Sequence, residues 1–256
     1  MAITIEMDAG VAIATIDHPP ANLLDGEFFV AVLDLLGRLE NDPDVRVVVF
    51  RSADPDFFMM HGDVNLVMTV DVPAPEPGEP NISGATFARL HTGRLVTIGL
   101  IDGIARGGGC EVLTAMDMRF GSERALVGQP EIVFGIIAGA GGAARWPEIV
   151  GRGRALDVLL SARDVAADEL YAMGWLDRLV PSAELEQTGL AAARRIAAMP
   201  PEAIAATKRV VDAPRAQALA VEGEEVGRLL ATGVHRDRMR RFLEAGGQVA
   251  LSAIRA

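Results

Sequence analysis

A mixed α/β (α+β) fold, sheet-rich at the start and helical at the end, is predicted by three features of the chain. Apolar runs of strand length alternate with helix-period stretches through about residue 120. Beyond Gly153 the apolar spacing is almost wholly helical. No long linker separates the two regions, so they are expected to pack together, with residues 1–195 as the sheet-containing core and 196–256 as a helical C-terminal region. With 256 residues, half of them hydrophobic, the chain has ample material for a buried core.

Taken in order, Ala2–Asp8 and Val11–Asp17 flank Ala9-Gly10 and read as a hairpin. His18-Pro19-Pro20 ends the second strand, and Asp25 is placed to cap the following helix. In that helix Phe29, Val32, Leu33, Leu36 and Leu39 follow helical spacing and predict one buried face. Asn41-Asp42-Pro43-Asp44 stops it, and the β-branched run 45–51 reads as a strand buried on both faces. A second unit follows: a helix over 84–93, a strand over 96–102, a glycine run at Gly107-Gly108-Gly109, a short helix near 110–116 and a strand at 118–120. Helices are then expected at 155–161, 166–173, 183–198, 202–212, 216–232 and 236–244. Residues 70–80, VDVPAPEPGEP, can be neither helix nor central strand. They read either as an exposed loop or as a movable wall of a binding site.

Charge and residue counts narrow the function. With 35 acidic against 24 basic residues the formal charge is −11. That balance argues against nucleic acid or an anionic membrane as partner, because both need a basic footprint. A single cysteine, Cys110, rules out an internal disulfide and a cysteine metal cluster. Lys208 is the only lysine and stands in no phosphate-loop motif, so any Schiff-base chemistry would rest on it alone. His18, His61, His91 and His235 show no metal-ligand spacing. The first ten residues carry acids rather than a basic region, and the longest uncharged apolar stretch is glycine-broken and short of the ~20 residues a membrane span needs. A soluble, cytoplasmic protein is expected.

Two glycine-rich stretches hold the candidate chemistry. Ile101-Asp102-Gly103-Ile104-Ala105-Arg106-Gly107-Gly108-Gly109-Cys110-Glu111 lies between a strand and a helix, where free N–H groups at the helix start favour developing negative charge. Gly128-Gln129-Pro130-Glu131 and Gly139-Ala140-Gly141-Gly142 follow. Glu111 and Glu131 thus stand beside glycine turns in apolar surroundings, where loss of hydration can tune a carboxyl toward acid–base work. Each glutamate taken alone reads first as a helix cap or a solvated residue, and only second as an acid–base group. Cys110 reads as a small packing residue, and Asp117 as a tie between strand and helix. Arg106 is either a ligand contact or the partner of an acid such as Asp63. Arg240-Arg241 on the last helix read as a solvated face.

Taken together, these blocks resemble the crotonase superfamily, the enoyl-CoA hydratase/isomerase family. The resemblance covers most of the chain: IDHPPAN at 16–22, IDGIARGGGCEVLTAMDMRF at 101–120, GQPEIVFGIIAGAGGAARWPEIVG at 128–151, then GRAL at 153–156 and GWLDRLVP at 174–181. It implies a spiral of repeated β-β-α units with C-terminal helices that assemble trimers, often paired as hexamers. It also implies an acyl-CoA thioester substrate, no metal and no redox cofactor, coenzyme A being part of the substrate. By motif position the two amides that hold the thioester oxygen fall at Gly62 and Gly108, and the two carboxylates of true hydratases at Glu111 and Glu131. Met60, His61, Asp63, Gly107 and Gly139 fall among the positions lining the substrate.

The implied reaction is hydration of a trans-2-enoyl-CoA to a 3-hydroxyacyl-CoA, with Glu111 activating water and Glu131 moving the proton at the α-carbon. Phe58-Met59-Met60-His61-Gly62-Asp63 departs from the family's pattern: the glycine has moved by one place and two methionines replace small residues. His61 reads either as a spacer or partly exposed loop residue or as a contact to substrate or to Glu131. Ala138 stands where the family usually has proline. These departures keep isomerase, hydrolase or decarboxylase chemistry open, and a non-catalytic acyl-CoA binder is a further alternative. Gly139–Ala144 also satisfies G-x-G-x-x-A, a dinucleotide fingerprint. Its context is wrong: no βαβ unit surrounds it, and Pro147 is expected to interrupt the helix that should follow.

Overall fold

In the computed structural model, residues 2–69, 78–212, 227 and 230–247 are described. The hairpin forms as expected from β1 (Ala2–Asp8) and β2 (Val11–Asp17). Helix α1 (Gly26–Glu40) follows, its first turn capped by the Asp25 carboxylate, which accepts from the Phe28 amide at 2.9 Å. The apolar face of α1 differs from the expected one. Phe28, Val32, Leu35, Leu36 and Leu39 are buried, whereas Phe29 and Leu33 sit at its margin. Phe29 instead stacks on Phe87 at 5.3 Å, so a neighbouring helix sets the rotation that spacing left open.

Strands β3 (Val47–Ser52), β5 (Val96–Ile101), β7 (Met118–Gly121) and β10 (Arg178–Leu179) extend the hairpin into a six-stranded sheet, parallel after the first pair. A second, four-stranded sheet consists of β4 (Phe57–Met59), β6 (Ile104–Arg106), β8 (Leu126–Gly128) and β9 (Asp164–Ala166). Its strands are three residues each, too short to show alternation, and the sequence reading missed them. The chain turns from the first sheet into the second at β3→β4, β5→β6 and β7→β8. Successive corners stack: the Ile104 amide donates to Asp56 O (2.9 Å), and the Leu126 amide to Gly103 O (3.2 Å). The result is a spiral of β-β-α units.

The large sheet is buried on both faces, as the β-branched run of β3 predicts. Val48 and Phe50 face a core shared with α1 and with α3 (Ile82–Thr92), which contributes Phe87 and Leu90. Val47, Val49, Ile98 and Leu100 face the long helix Ser182–Ala197, against its Leu185, Ala192 and Ala193. The boundary set at residue 195 falls in the last turn of that helix. Short helices α2 (Val64–Thr69) and α4 (Gly108–Thr114) precede α5 (Gly142–Val150), α6 (Arg152–Ser161) and α7 (Ala167–Ala172); the long helix is α8. Pro147 lies inside α5 without ending it, correcting the expected interruption. Helices α9 (Pro201–Asp212) and α10 (Val234–Glu244) form where expected. The helix expected at 216–232 lies almost wholly outside the described residues, as does most of the 70–80 segment.

One contact locks the spiral. The Gly109 amide donates to Met60 O at 2.9 Å, so the start of α4 lies directly on the exit of β4. A Cβ on Gly109 would stand 2.0 Å from Met59 O. Gly109→Ala is therefore expected to cost about 3 kcal/mol, the upper part of the usual overpacking range. An unchanged thermal or urea midpoint would contradict this close approach.

Candidate active site

The loop after β4 is pinned on both sides of Gly62. The Leu24 amide donates to His61 O (3.1 Å), and the Asp63 amide donates to Leu24 O (2.8 Å). This short parallel bridge uses one edge of the segment and turns the Gly62 amide to the other. Gly108 is the first residue of α4, where an amide has no intrahelical partner. Among the described residues neither amide has a protein acceptor. The two are neighbours: a Cβ on Gly108 would lie 3.3 Å from Gly62 N. The displaced glycine of the 58–63 segment thus still leaves an amide at this place.

Glu111 sits in the first turn of α4 and is buried. One carboxylate oxygen accepts from the Ala140 and Gly142 amides at 2.7 and 3.0 Å, so the second glycine stretch wraps it. Gly142 must be glycine here, since a Cβ would come within 3.0 Å of that oxygen. Burial raises the Glu111 carboxyl above its ordinary range, opposed by the two amides and the Arg145 charge.

Glu131 opens a 3-10 turn, Glu131–Phe134, just after β8. Its only side-chain hydrogen-bond partner among the described residues is Gln129, whose Nε2 lies 3.1 Å from both carboxylate oxygens. Gln129 is buried and fixed in this sense because its own oxygen accepts from Trp146 Nε1 at 3.3 Å. Burial, reinforced by the Glu111 charge, pushes Glu131 up to about 8. The two carboxyls are therefore unequal: Glu111 is held by two amides and Glu131 by one amide side chain. Of the two, Glu131 is the one held toward its protonated form.

The other expected residues take the following places. Gly107, at φ +53°, borders Glu131: a Cβ there would lie 3.0 Å from its Oε1 and 2.9 Å from His61 Cβ. His61 is mostly buried, its Nδ1 2.9 Å from Gly62 O, and burial lowers its affinity for a proton. Met60 is fully buried in an apolar cluster with Ala21 and Phe57, so it braces the loop from behind. Met59 is equally buried in the main core. Asp63 accepts from the Asn65 amide at the start of α2, and the Gly139 carbonyl accepts from Asn81 at 2.6 Å. Cys110 is buried, its thiol pushed well up by burial and by both glutamates, which suits packing. Asp117 ties β5 to α9, accepting from the Thr97 amide (2.8 Å) and Lys208 (2.7 Å). Arg106 pairs with Asp164 at 2.9 Å, an acid the sequence reading did not single out. Helix α10 covers the site: the Phe242 ring meets His61 and Phe134 edge-on at 5.4 and 5.1 Å.

Sequence reasoning missed Gln129, Arg145 and the role of Asn22. Asn22 binds Ser52 Oγ (2.8 Å) and Phe58 O (3.0 Å), and so holds β4 against β3. All three lie within the family-like stretches 16–22 and 128–151, where residue type alone does not reveal a partner.

The site is of the kind that pairs a two-amide anion cradle with two buried acids in a β-β-α spiral. The chain belongs to the enoyl-CoA hydratase/isomerase family, whose pattern it matches over residues 6–246. It is 30% identical to the short-chain-enoyl-CoA hydratase of Clostridium acetobutylicum over 94% of both chains. It is 28% identical to the crotonyl-CoA hydratase of Syntrophomonas wolfei, covering 94% of this chain and 95% of that one. A solved structure from Streptomyces avermitilis superposes with a TM-score of 0.87 at 32% identity, over 99% of this chain and 98% of that one.

The raised carboxyl has a consequence for stability. Glu131 binds its proton more tightly folded than unfolded, so its contribution is complete below about 4.5 and is lost as pH rises through about 8. Glu131→Gln is expected to remove that loss. Its melting temperature should gain on wild type across this window, measured by thermal unfolding at fixed ionic strength.

Proposed function

We propose that the protein adds water to a trans-2-enoyl-CoA, giving a 3-hydroxyacyl-CoA. The observation that carries this reading is the pair of unengaged amides, Gly62 and Gly108, beside two buried carboxyls of unequal acidity. The hydratase names of full-length relatives support it.

In this reading the thioester oxygen accepts from both amides, which draws electrons from the β-carbon. Glu111, ionised and steadied by the Ala140 and Gly142 amides, takes a proton from water as the oxygen adds to that carbon. The electron pair moves to the thioester oxygen, and the resulting enolate is held where the amides converge. Glu131 gives its proton to the α-carbon, and the carbonyl re-forms. Glu111 has then gained the proton Glu131 lost, and exchange through the next water restores the start. The reaction calls on no metal and no redox cofactor.

The wider expectations fit the same reading. Assembly as a trimer or a hexamer of paired trimers is part of the same proposal. No helix among the described residues is long and apolar enough to cross a membrane. We place the protein in the cytoplasm, acting in fatty-acid oxidation.

Crotonyl-CoA and longer trans-2-enoyl-CoAs, followed by loss of ultraviolet conjugation and by product mass, test the reaction. A gain of one water is expected, with Glu111→Gln and Glu131→Gln each slower by ~10²–10⁴ while still binding the thioester. Binding without water gain would point to a relative with different enolate chemistry, and wild-type turnover in Glu131→Gln would remove that residue from the mechanism.

A further inference from the structure

Arg106, Gly128 and Asp164 stand side by side across three strands of the small sheet. Arg106 is paired in register with Gly128, and Gly128 with Asp164. Gly128 contributes no side chain, and the two charges meet over it. A Cβ there would come 2.4 Å from Asp164 Oδ1 and 3.5 Å from Arg106 Nε, so any other residue would occupy the space of the ion pair. The Arg106 side chain is 12% exposed and that of Asp164 21%, so the bridge is largely withdrawn from water. Such a pair is seldom retained for stability alone, because desolvation cancels much of the attraction.

Its position suggests a different use. Arg106 immediately precedes Gly107, the residue that borders both Glu131 and His61. The Gly107 amide donates to Gly128 O at 2.9 Å, and Gly128 leads through Gln129 and Pro130 to Glu131. The ion pair therefore sits at the root of both segments that place Glu131. We propose that Arg106 and Asp164 form a positioning pair for Glu131: Arg106 is a cation at the root of the segments that place this acid, and Asp164 holds it there and moderates its charge. The inference rests on the reading of Glu131 as the proton donor to the α-carbon.

Electrostatics agree in sign. The Arg106 charge lowers the proton affinity of both Glu131 and His61, against the raising effects of burial and Glu111 on Glu131. Other groups face Glu131 from each neighbouring element. Glu111 and Cys110 lie on α4, with Arg145 behind Glu111, and His61 and Asp63 lie before α2. From α10, Arg238 binds Val133 O in the same turn, with His235 nearby in sequence, and α6 carries the exposed Arg152, Arg154 and Asp157. These are common to every variant below, so differences report the pair.

The test compares wild type, Arg106→Leu, Asp164→Asn and the double variant. The first readout is the high-pH limb of enoyl-CoA hydration. The second is an infrared titration of the Glu131 carboxyl, assigned by subtracting the Glu131→Gln spectrum. Removing the cation leaves Asp164 and should move the Glu131 titration to higher pH by roughly half a unit or more. Removing the anion leaves Arg106 unopposed and should move it lower. The double variant loses a net positive influence and should titrate above wild type but below Arg106→Leu. Arg106→Lys keeps the sign and replaces Arg106→Leu if that variant does not fold; it should then titrate on the wild-type side of the double variant. Shifts of the same sign in both single variants, or none, would overturn the proposal, since a purely structural bridge has no reason to give opposite signs. If wild type hydrates nothing, the hydratase reading fails, and the infrared titration still decides whether the pair controls Glu131.

Discussion

The site depends on how closely the start of α4 can approach the end of β4. The Gly109 amide reaches Met60 O, and a Cβ at that position would clash with the Met59 carbonyl oxygen at 2.0 Å. Because nothing separates the two segments, the Gly108 amide comes beside the Gly62 amide, and Glu111 is carried into the space behind them. A side chain at Gly109 would move the helix start outward and separate both amides and the acid together. A hydrogen-bond cradle must be set before charge develops, because donors that reorganise during reaction lose most of their advantage. Here that order is built into backbone packing.

The same packing makes the two acids unequal. Glu111 projects from α4 toward the 139–142 loop, whose two amides converge on one of its oxygens. Glu131 leaves the sheet on a 3-10 turn and meets a single amide side chain, oriented in turn by Trp146. Two buried carboxylates cannot both ionise cheaply at close range, so the charge is favoured on Glu111, which has two amides and Arg145, and the proton on Glu131. The inequality arises because burial and the Glu111 charge raise Glu131, while two amides and the Arg145 charge oppose the rise of Glu111. It comes at a cost in stability that grows as pH rises, a common trade at sites built for proton transfer.

The departures in residues 59–62 are absorbed rather than expressed at the amides. Both methionines turn into apolar clusters, one in the main core and one against Ala21 and Phe57. The backbone bridge to Leu24, which requires no particular side chain, still sets the direction of the Gly62 amide. His61 instead packs under α10 and meets Phe242, joining the C-terminal helix to the loop of the cradle. The helix that covers the site is thereby coupled to the segment that forms it.

The sequence by itself determined the main elements and the two acids. The β-branched runs, the helical spacings, the Asp25 cap and the glycine stretches are local signals, and each reports what its own few residues can do. The glycine runs also marked where backbone must meet something closely, although not what it meets. Only the tertiary structure decided the rest. The three-residue strands of the small sheet exist because stacked corners supply their partners, so no period could reveal them. The rotation of α1 is set by Phe87, fifty-eight residues from Phe29. Trp146 against Gln129, Arg145 behind Glu111 and Asp164 opposite Arg106 are neighbours made by crossing strands and helix ends. Charge and hydration act through space, and proximity between residues distant in sequence is created by the fold.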